Sequence, residues 1–415
     1  MAALLNWARN IEFSTDRLVR PTTVEQLQDV VASASRVRAL GSGHSFNDIA
    51  DTDGVLVSLA DLDVEPSLTA TSDGRLVCVG AGTRYGELAA YLQARGLALH
   101  NLGSLPHITV AGACATGTHG SGSGNGCLAT AVRAVEFVRA DGELVRMADG
   151  DADFPGSVLA LGALGVVTRL WLAVRPSFEL RQDVWLDAPL DSVLEHLGEI
   201  MDSAYSVSLF SDWQRPGVVD QIWLKAAAGA EPVDGNAWGA SPATRAQHPI
   251  RDVDGAAATE QLGVPGPWNE RLPHFRMDFT PSHGDEVQSE YFVAREHGPD
   301  AIRAIAGLAL PPALMVGEIR TVAADELWLS PFRGRDTVAL HFTWVADAGL
   351  IHDALGRVEA ALAPFDARPH WAKAFRMPAE QVRAHHPELP RFAALAARLD
   401  PDRRFGNRYL ETFVY

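Results

Sequence analysis

The run from Arg38 to Ala50, RALGSGHSFNDIA, constrains this chain more than any other stretch. It sets one histidine, His44, among Gly41, Ser42, Gly43 and Ser45, just after the short apolar segment VRAL. Glycine permits tight turns and brings backbone N–H groups close to a bound anion or ring. A histidine held there either faces a cofactor or closes an ordinary tight loop. A second segment, Asn101 to Gly126, reads NLGSLPHITVAGACATGTHGSGSGNG and is equally dense in small residues. Two such loops suit opposite parts of one large cofactor. Neither is a phosphate loop: GxxxxGK[ST] is absent, as is a strand–GxGxxG–helix followed by an acid.

The elements around these loops read as α+β. VEQLQDVVASAS has the apolar spacing of an amphipathic helix, with Thr23 as its cap. VRAL, GVLVSLA and LVCVGAG are short strands, and RYGELAAYLQAR is a helix ended by Gly96. AVEFVRADGELVRM reads as strand, Asp-Gly turn and strand. LALGALGVVTRLWLAVRP ends in a strongly apolar strand, and a domain edge falls near Pro176. Beyond it, YSVSLF, GVVDQIWLKAA, SEYFVARE, EIRTVAA and DTVALHFTWVA are strands of a second sheet, and HDALGRVEAALAPF is helical. Residues 226–267 pack as loops. The chain thus divides into residues 1–176, 177–380 and an aromatic tail, 381–415, that folds back on the first domain. This is not the regular βαβ alternation of a doubly wound sheet.

Composition narrows the partners. The 415 residues are 47% hydrophobic, enough for two cores, and carry a net charge of −17 without a basic cluster. Neither nucleic acid nor an anionic membrane surface is an expected partner, because both need a positive footprint. No apolar run is long enough to span a membrane, and MAALLNWARNIEFSTD lacks the pattern of a secretory signal. Three cysteines without CxxC make no disulfide framework. A monomeric cytoplasmic protein is expected. No metal is expected either, since the histidines lack ligand spacing. The densest run, His385-His386-Pro387-Glu388, reads as a polar turn.

Glu318 and Arg320 are separated by one residue, so on a strand they share a face. They form either a structural ion pair or part of a polar site. His341 and Thr343 repeat the spacing within the largely apolar VALHFTWVA. Taken alone, His341 is a core histidine or a ligand, and Lys373 in RPHWAKAF is a surface lysine.

Gly41-Ser42-Gly43-His44-Ser45-Phe46-Asn47 resembles the flavin-attachment loop of the vanillyl-alcohol-oxidase type flavoproteins. Leu102 to Gly112, followed by Ala115-Thr116-Gly117-Thr118-His119-Gly120, is similar to their second FAD-binding segment. Glu318-Ile319-Arg320, His341-Phe342-Thr343-Trp344 and His370-Trp371-Ala372-Lys373 resemble the sugar-alcohol and aldonolactone oxidases together. Continuous likeness through SFNDIADT, YSVSLFSDW, EQLGVPGPWNERLPHFRMDFTPS and EIRTVAADELWLSP resembles the bacterial alditol oxidases, and it extends over nearly the whole chain.

The resemblance implies a two-domain PCMH-type FAD-binding fold with a sheet-and-helix substrate domain. It implies FAD held by Gly41, Ser42, Gly43, His44, Ser45, Gly103, Ser104, His107, Thr109, Gly112, Thr116, Gly117, His119, Gly120, Gly165 and Val166. His44 would carry a covalent bond from an imidazole nitrogen to the flavin 8α carbon. Leu105 stands near the place where some relatives add a cysteinyl bond, so a single bond is implied, with Cys114 a buried small residue. Ser104, Glu318, Arg320, His341, Thr343 and Lys373 would surround a polyol. Arg320 and Lys373 would act at the reacting hydroxyl, with hydride passing to flavin N5 and O2 reduced to H2O2. Xylitol and sorbitol are the expected substrates, ahead of mannitol and glycerol. An aldonolactone oxidase shares the same marks, and a noncatalytic flavin-containing carbohydrate-binding protein is the alternative from another class. Gly103 departs from the alditol oxidase pattern and Gly317 and Ala372 stand at variable positions, which bears on cavity size, loop rigidity and chain-length preference.

Overall fold

Apolar residues three and four apart wind the first helix, Val24–Ser33, which buries Leu27 and Val31 and is capped where Thr23 accepts the N–H of Gln26. The strand Val37–Ala39 follows and delivers the chain into the histidine loop. It lies in a small parallel sheet ordered Leu18–Val19, Val55–Val57, Val37–Ala39. The computed structural model describes residues 3–62, 64–72, 74–279 and 286–415.

A second, antiparallel sheet is built around the long strand Val166–Pro176. Gly74–Gly80 pairs along one edge of it and Val132–Val138 along the other. The Asp141-Gly142 turn joins Val132–Val138 to Leu144–Ala148, with Gly142 at φ +86°. Gly165 enters the central strand at φ +156°, where an added Cβ would sit 2.5 Å from the Val138 carbonyl. Only glycine fits that approach.

The third sheet is antiparallel throughout. Its order is Ser241–Pro242, Glu179–Pro189, Val218–Ala227, Ser206–Ser211, Leu314–Val322, Thr337–Val345, Glu286–Ala294 and Arg368–Pro369, with Gly266–Pro267 also paired to Glu179–Pro189. The strand ending at Pro176 thus belongs to one sheet and the strand starting at Glu179 to another. Strand alternation sorts the residues. Ile319, Leu340, Tyr291 and Val293 join a core with Ile302, Ile305, Leu355 and Val358 from the helices Gly298–Ala306 and Ala348–Leu362. Their neighbours Glu318, Arg320, His341 and Glu290 face the opposite way, into a cleft.

Several elements were not legible beforehand. The strand Glu179–Pro189 carries Arg181, Gln182 and Asp183, which break its apolar alternation. The helices Leu190–Glu195 and Leu197–Asp202 are too short for a clear period. Residues 226–267 form mainly turns, with two short pairings at Ser241–Pro242 and Gly266–Pro267. The tail carries the helices Leu389–Leu399 and Arg408–Phe413 and packs on the first unit. The Val37 N–H donates to the Arg404 carbonyl at 2.8 Å, and Asn407 Nδ2 donates to the carbonyls of Asp48, Ile49 and Asp51. Among the described residues, no helix is long and apolar enough to cross a membrane.

Candidate active site

The glycine turn places His44 in one wall of the cleft. Gly43 adopts φ +69°, and its carbonyl accepts the Trp7 N–H at 2.9 Å. The His44 ring packs 4.2 Å from Trp7 and 5.6 Å from Phe46, centroid to centroid. Its Nε2 is buried and has no hydrogen-bond partner among the described residues. Burial, then the charge of Lys373, pulls the His44 pKa down to about 3, so the ring is neutral and keeps a free lone pair. An orphaned buried nitrogen usually has a function or a missing partner. The loop is tied to the far side of the cleft. Phe46 N–H donates to the Ala372 carbonyl at 2.7 Å, and Asn47 Nδ2 donates to the carbonyls of Trp371 and Lys373 at 2.8 and 2.9 Å.

The second small-residue segment lies against the first. A Cβ on Gly41 would meet Thr109 Oγ1 at 2.4 Å, and one on Gly112 would meet it at 2.9 Å. Gly41, Ser42, Gly43, His44, Ser45, Gly103, Ser104, Thr109, Gly112, Thr116, His119 and Gly165 all line the cleft. His107, Gly117, Gly120 and Val166 stand behind that wall rather than in it. His107 Nε2 bonds the Met277 carbonyl. Gly117 ends the helix Val110–Thr116 at φ +78°. Gly120 is pressed against Leu102 and Asn101, and Val166 is fully buried. A long cleft walled by glycine, serine, threonine and alanine, with an orphaned imidazole at one place, fits FAD.

The other end is built by the third sheet. Glu318 lies opposite His341, which lies opposite Glu290, so one row crosses three strands. Arg320 and Thr343 continue the same face two residues on. Sequence reading missed Glu290, which is the hub of this cluster. Its Oε1 receives Arg320 Nη2 at 2.6 Å and lies 3.2 Å from His119 Nε2, while Oε2 pairs with Lys373 Nζ at 2.8 Å. Although burial opposes ionisation, Lys373, His119 and Arg320 hold the Glu290 carboxyl well below the usual range. Glu318 is likewise held low by Arg320 and His274 against the effect of burial.

Lys373 is not a surface residue; its side chain is 14% exposed and Nζ donates to His341 Nδ1 at 2.7 Å. An ammonium group only donates, so the remaining His341 proton sits on Nε2, which donates to Thr343 Oγ1 at 3.1 Å. Burial, then Lys373, lowers the His341 pKa to about 4 and keeps the ring neutral. Arg320 Nη1 also reaches Ser104 Oγ at 3.4 Å. Ser104, Glu318, Arg320, His341, Thr343 and Lys373 therefore converge on one cavity, which opens to His44 along the same cleft.

Residues 15–148 match the FAD binding domain family, and residues 282–413 match the D-arabinono-1,4-lactone oxidase family. An alditol oxidase from a Streptomyces species is 50% identical over 99% of both chains. This chain belongs to the alditol oxidase family. A more distant relative, the L-gulono-1,4-lactone dehydrogenase of Mycobacterium tuberculosis, is 30% identical over 97% of both chains. The cholesterol oxidase from B. sterolicum superposes with a TM-score of 0.80 at 14% identity, covering 100% of this chain and 96% of that one. That likeness shows the fold, and with the FAD binding domain match it fits the α+β, PCMH-type FAD-binding architecture of the vanillyl-alcohol-oxidase type.

Membership of the alditol oxidase family makes the chain an FAD-dependent oxidoreductase, and the departures noted in its sequence now have a physical setting. A Cβ at Gly103 would meet nothing closer than Thr118 Cγ2 at 3.7 Å, so alanine fits there. A Cβ at Gly317 would lie 2.8 Å from Trp213 Nε1, so glycine is matched to that tryptophan. The His385-His386 turn is buried rather than merely polar at the surface: His386 stacks on Trp371 at 4.6 Å, and His385 Nδ1 pairs with Asp366 at 3.0 Å.

Proposed function

We propose that this protein is an FAD-dependent alditol oxidase. It oxidises the terminal primary alcohol of small polyols, xylitol and sorbitol foremost, to an aldose, with O2 as the final acceptor and H2O2 as the second product. The observation that carries this reading is the convergence of Ser104, Glu318, Arg320, His341, Thr343 and Lys373 on a cavity continuous with His44. An uncharged, flexible polyol is oriented only by a lattice of donors and acceptors. Glu318 supplies the acceptor, while Ser104 and Thr343 exchange hydrogen bonds with hydroxyls. Arg320 and Lys373 set positive charge beside the reacting hydroxyl and stabilise developing alkoxide character. Glu290 balances both cations and keeps them in place. FAD, when bound, supplies the two-electron acceptor. His44, neutral and with no partner for Nε2 among the described residues, would hold it through one covalent bond from an imidazole nitrogen. Three buried free cysteines support a reducing, intracellular setting.

A second reading, oxidation of an aldonolactone, is favoured by the match of residues 282–413 and uses the same cations. The experiment is an aerobic assay with xylitol, following O2 uptake and H2O2 release together with the reducing sugar formed. Equimolar peroxide and sugar are expected. Sugar without peroxide would overturn the oxidase assignment.

A further inference from the structure

A second buried lysine repeats the Lys373–His341 arrangement on the other side of Glu318. Lys225 lies on the strand Val218–Ala227 and is 1% exposed. Its Nζ donates to the carbonyls of Leu272 and Pro273 at 2.5 and 3.1 Å and to His274 Nδ1 at 3.0 Å. Burial lowers the Lys225 pKa to about 7, and the three acceptors match the three protons of its ammonium form; among the described residues no carboxylate touches it. Beside that ammonium form, and with the Glu318 carboxylate at Nε2, His274 Nδ1 is the lone-pair nitrogen. Burial, then Lys225, lowers the His274 pKa to about 4, so the ring holds a single proton, and Nε2 carries it. That Nε2 donates to Glu318 Oε1 at 2.7 Å, the same oxygen that lies 3.5 Å from Arg320 Nε. Among the described residues nothing bonds Glu318 Oε2, and Glu318 lines the cleft.

We propose that Lys225 is a positioning residue. By locking His274 in the Nε2–H tautomer, it anchors Glu318 through Oε1 and leaves Oε2 as a hydroxyl acceptor in the cleft. The inference deepens the polyol reading and rests on it for the identity of that hydroxyl. Without Lys225, only the Glu318 carboxylate holds the His274 proton on Nε2, and a proton that moves to Nδ1 turns a lone pair toward that carboxylate. Glu318 must turn away or take a proton, and either change removes the acceptor. The segment also fixes Ser104, whose carbonyl accepts the N–H groups of His274 and Phe275 at 3.1 and 3.3 Å.

The test uses the holoenzyme labelled with 15N-histidine, compared by NMR with Lys225→Met; the His274→Gln spectrum identifies the signal. The wild-type ring is expected to be protonated at Nε2 alone, and Lys225→Met is expected to shift the proton toward Nδ1. In the same variant KM for xylitol rises about tenfold, as for a lost hydrogen bond to a charged group, while kcat changes far less. Glutamine at 274 keeps an N–H for Glu318 and has no tautomer to choose. Lys225→Met added to His274→Gln should therefore change KM by less than about threefold. An unchanged tautomer in Lys225→Met, or the same KM change in both backgrounds, would overturn the proposal. If Lys225→Met does not fold, Lys225→Gln takes its place: its amide still donates, so an Nε2–H signal is expected, and loss of that signal counts against the proposal. A wild-type enzyme inert to xylitol would remove the polyol reading, while the NMR comparison would still decide what Lys225 does.

Discussion

At the scale of single residues, the site is a set of buried charges that must stay matched. Glu290 is 1% exposed and compensates both Arg320 and Lys373. Removing one member of a buried ion pair leaves an uncompensated charge, which costs about 3–5 kcal/mol. Glu290→Ala should lose about that much in chemical denaturation, and flavin reduction should slow with it; a variant as stable as wild type would contradict the hub role. Arg320 belongs to the same buried pairing, and in the proposed mechanism its charge also faces the reacting hydroxyl. Arg320→Ala should bind FAD normally yet be reduced by xylitol at least about a hundredfold more slowly, as when a group stabilising transition-state charge is removed. Rapid-reaction absorbance reads this, and undiminished reduction would end the assigned role. His44→Ala should retain FAD until denaturation and then release it into the acid supernatant. Glu318, Arg320, His341 and Thr343 stood out by type and two-residue spacing, and Lys373 by the HWAK run of a family pattern; the structure brings all five to one cleft. Glu290, Lys225 and His274 did not stand out, since each lies singly in an apolar or irregular stretch and gains meaning only from strand pairing across long sequence distances.

At the scale of elements, the glycine loop and the HWAK turn act as one unit. Asn47 spans them with hydrogen bonds to the carbonyls of Trp371 and Lys373. Asn47→Ala removes two bonds worth about 1 kcal/mol each; the Trp371 carbonyl keeps the Tyr409 hydroxyl as a donor, so the loss falls mainly on the Lys373 carbonyl. The expected result is a lower kcat with Lys373 less firmly placed, while FAD and its proposed bond to His44 are retained; wild-type kcat would contradict the coupling. The helices Val24–Ser33 and Tyr85–Gln93 and the strands of VALHFTWVA and GVVDQIWLKAA were readable from apolar period, caps and turn residues. The strand Glu179–Pro189 was not, because buried polar residues such as Arg181 and Gln182 take their partners from distant loops. Periodicity reports a single face against a single core, and this strand is buried among segments on both sides.

At the scale of the whole molecule, the fold stores neutral histidines in its interior. Burial lowers the pKa of His274 and His341 to about 4 and of His386 to about 3, against 6.5 when exposed. Below about pH 6.5 the unfolded chain binds protons that the folded chain refuses, so stability falls as pH falls. Each such proton contributes about 1.4 kcal/mol per pH unit within that window. Glu290 and Glu318, both held below 4.5, act in the same direction once the unfolded carboxylates protonate. Calorimetry should find Tm declining from about pH 6.5 downward and more steeply below about 4.5; a flat Tm from pH 7 to 5 would contradict this. In the proposed function the same interior joins the flavin end of the cleft to a lattice suited to a neutral polyol. That union is tested most directly by anaerobic bleaching of the flavin absorbance with xylitol and L-gulono-1,4-lactone offered separately. Fast bleaching by xylitol and slow or no bleaching by the lactone is the predicted result. Fast bleaching by the lactone alone would transfer the same residues to lactone oxidation, and bleaching by neither would contradict the account.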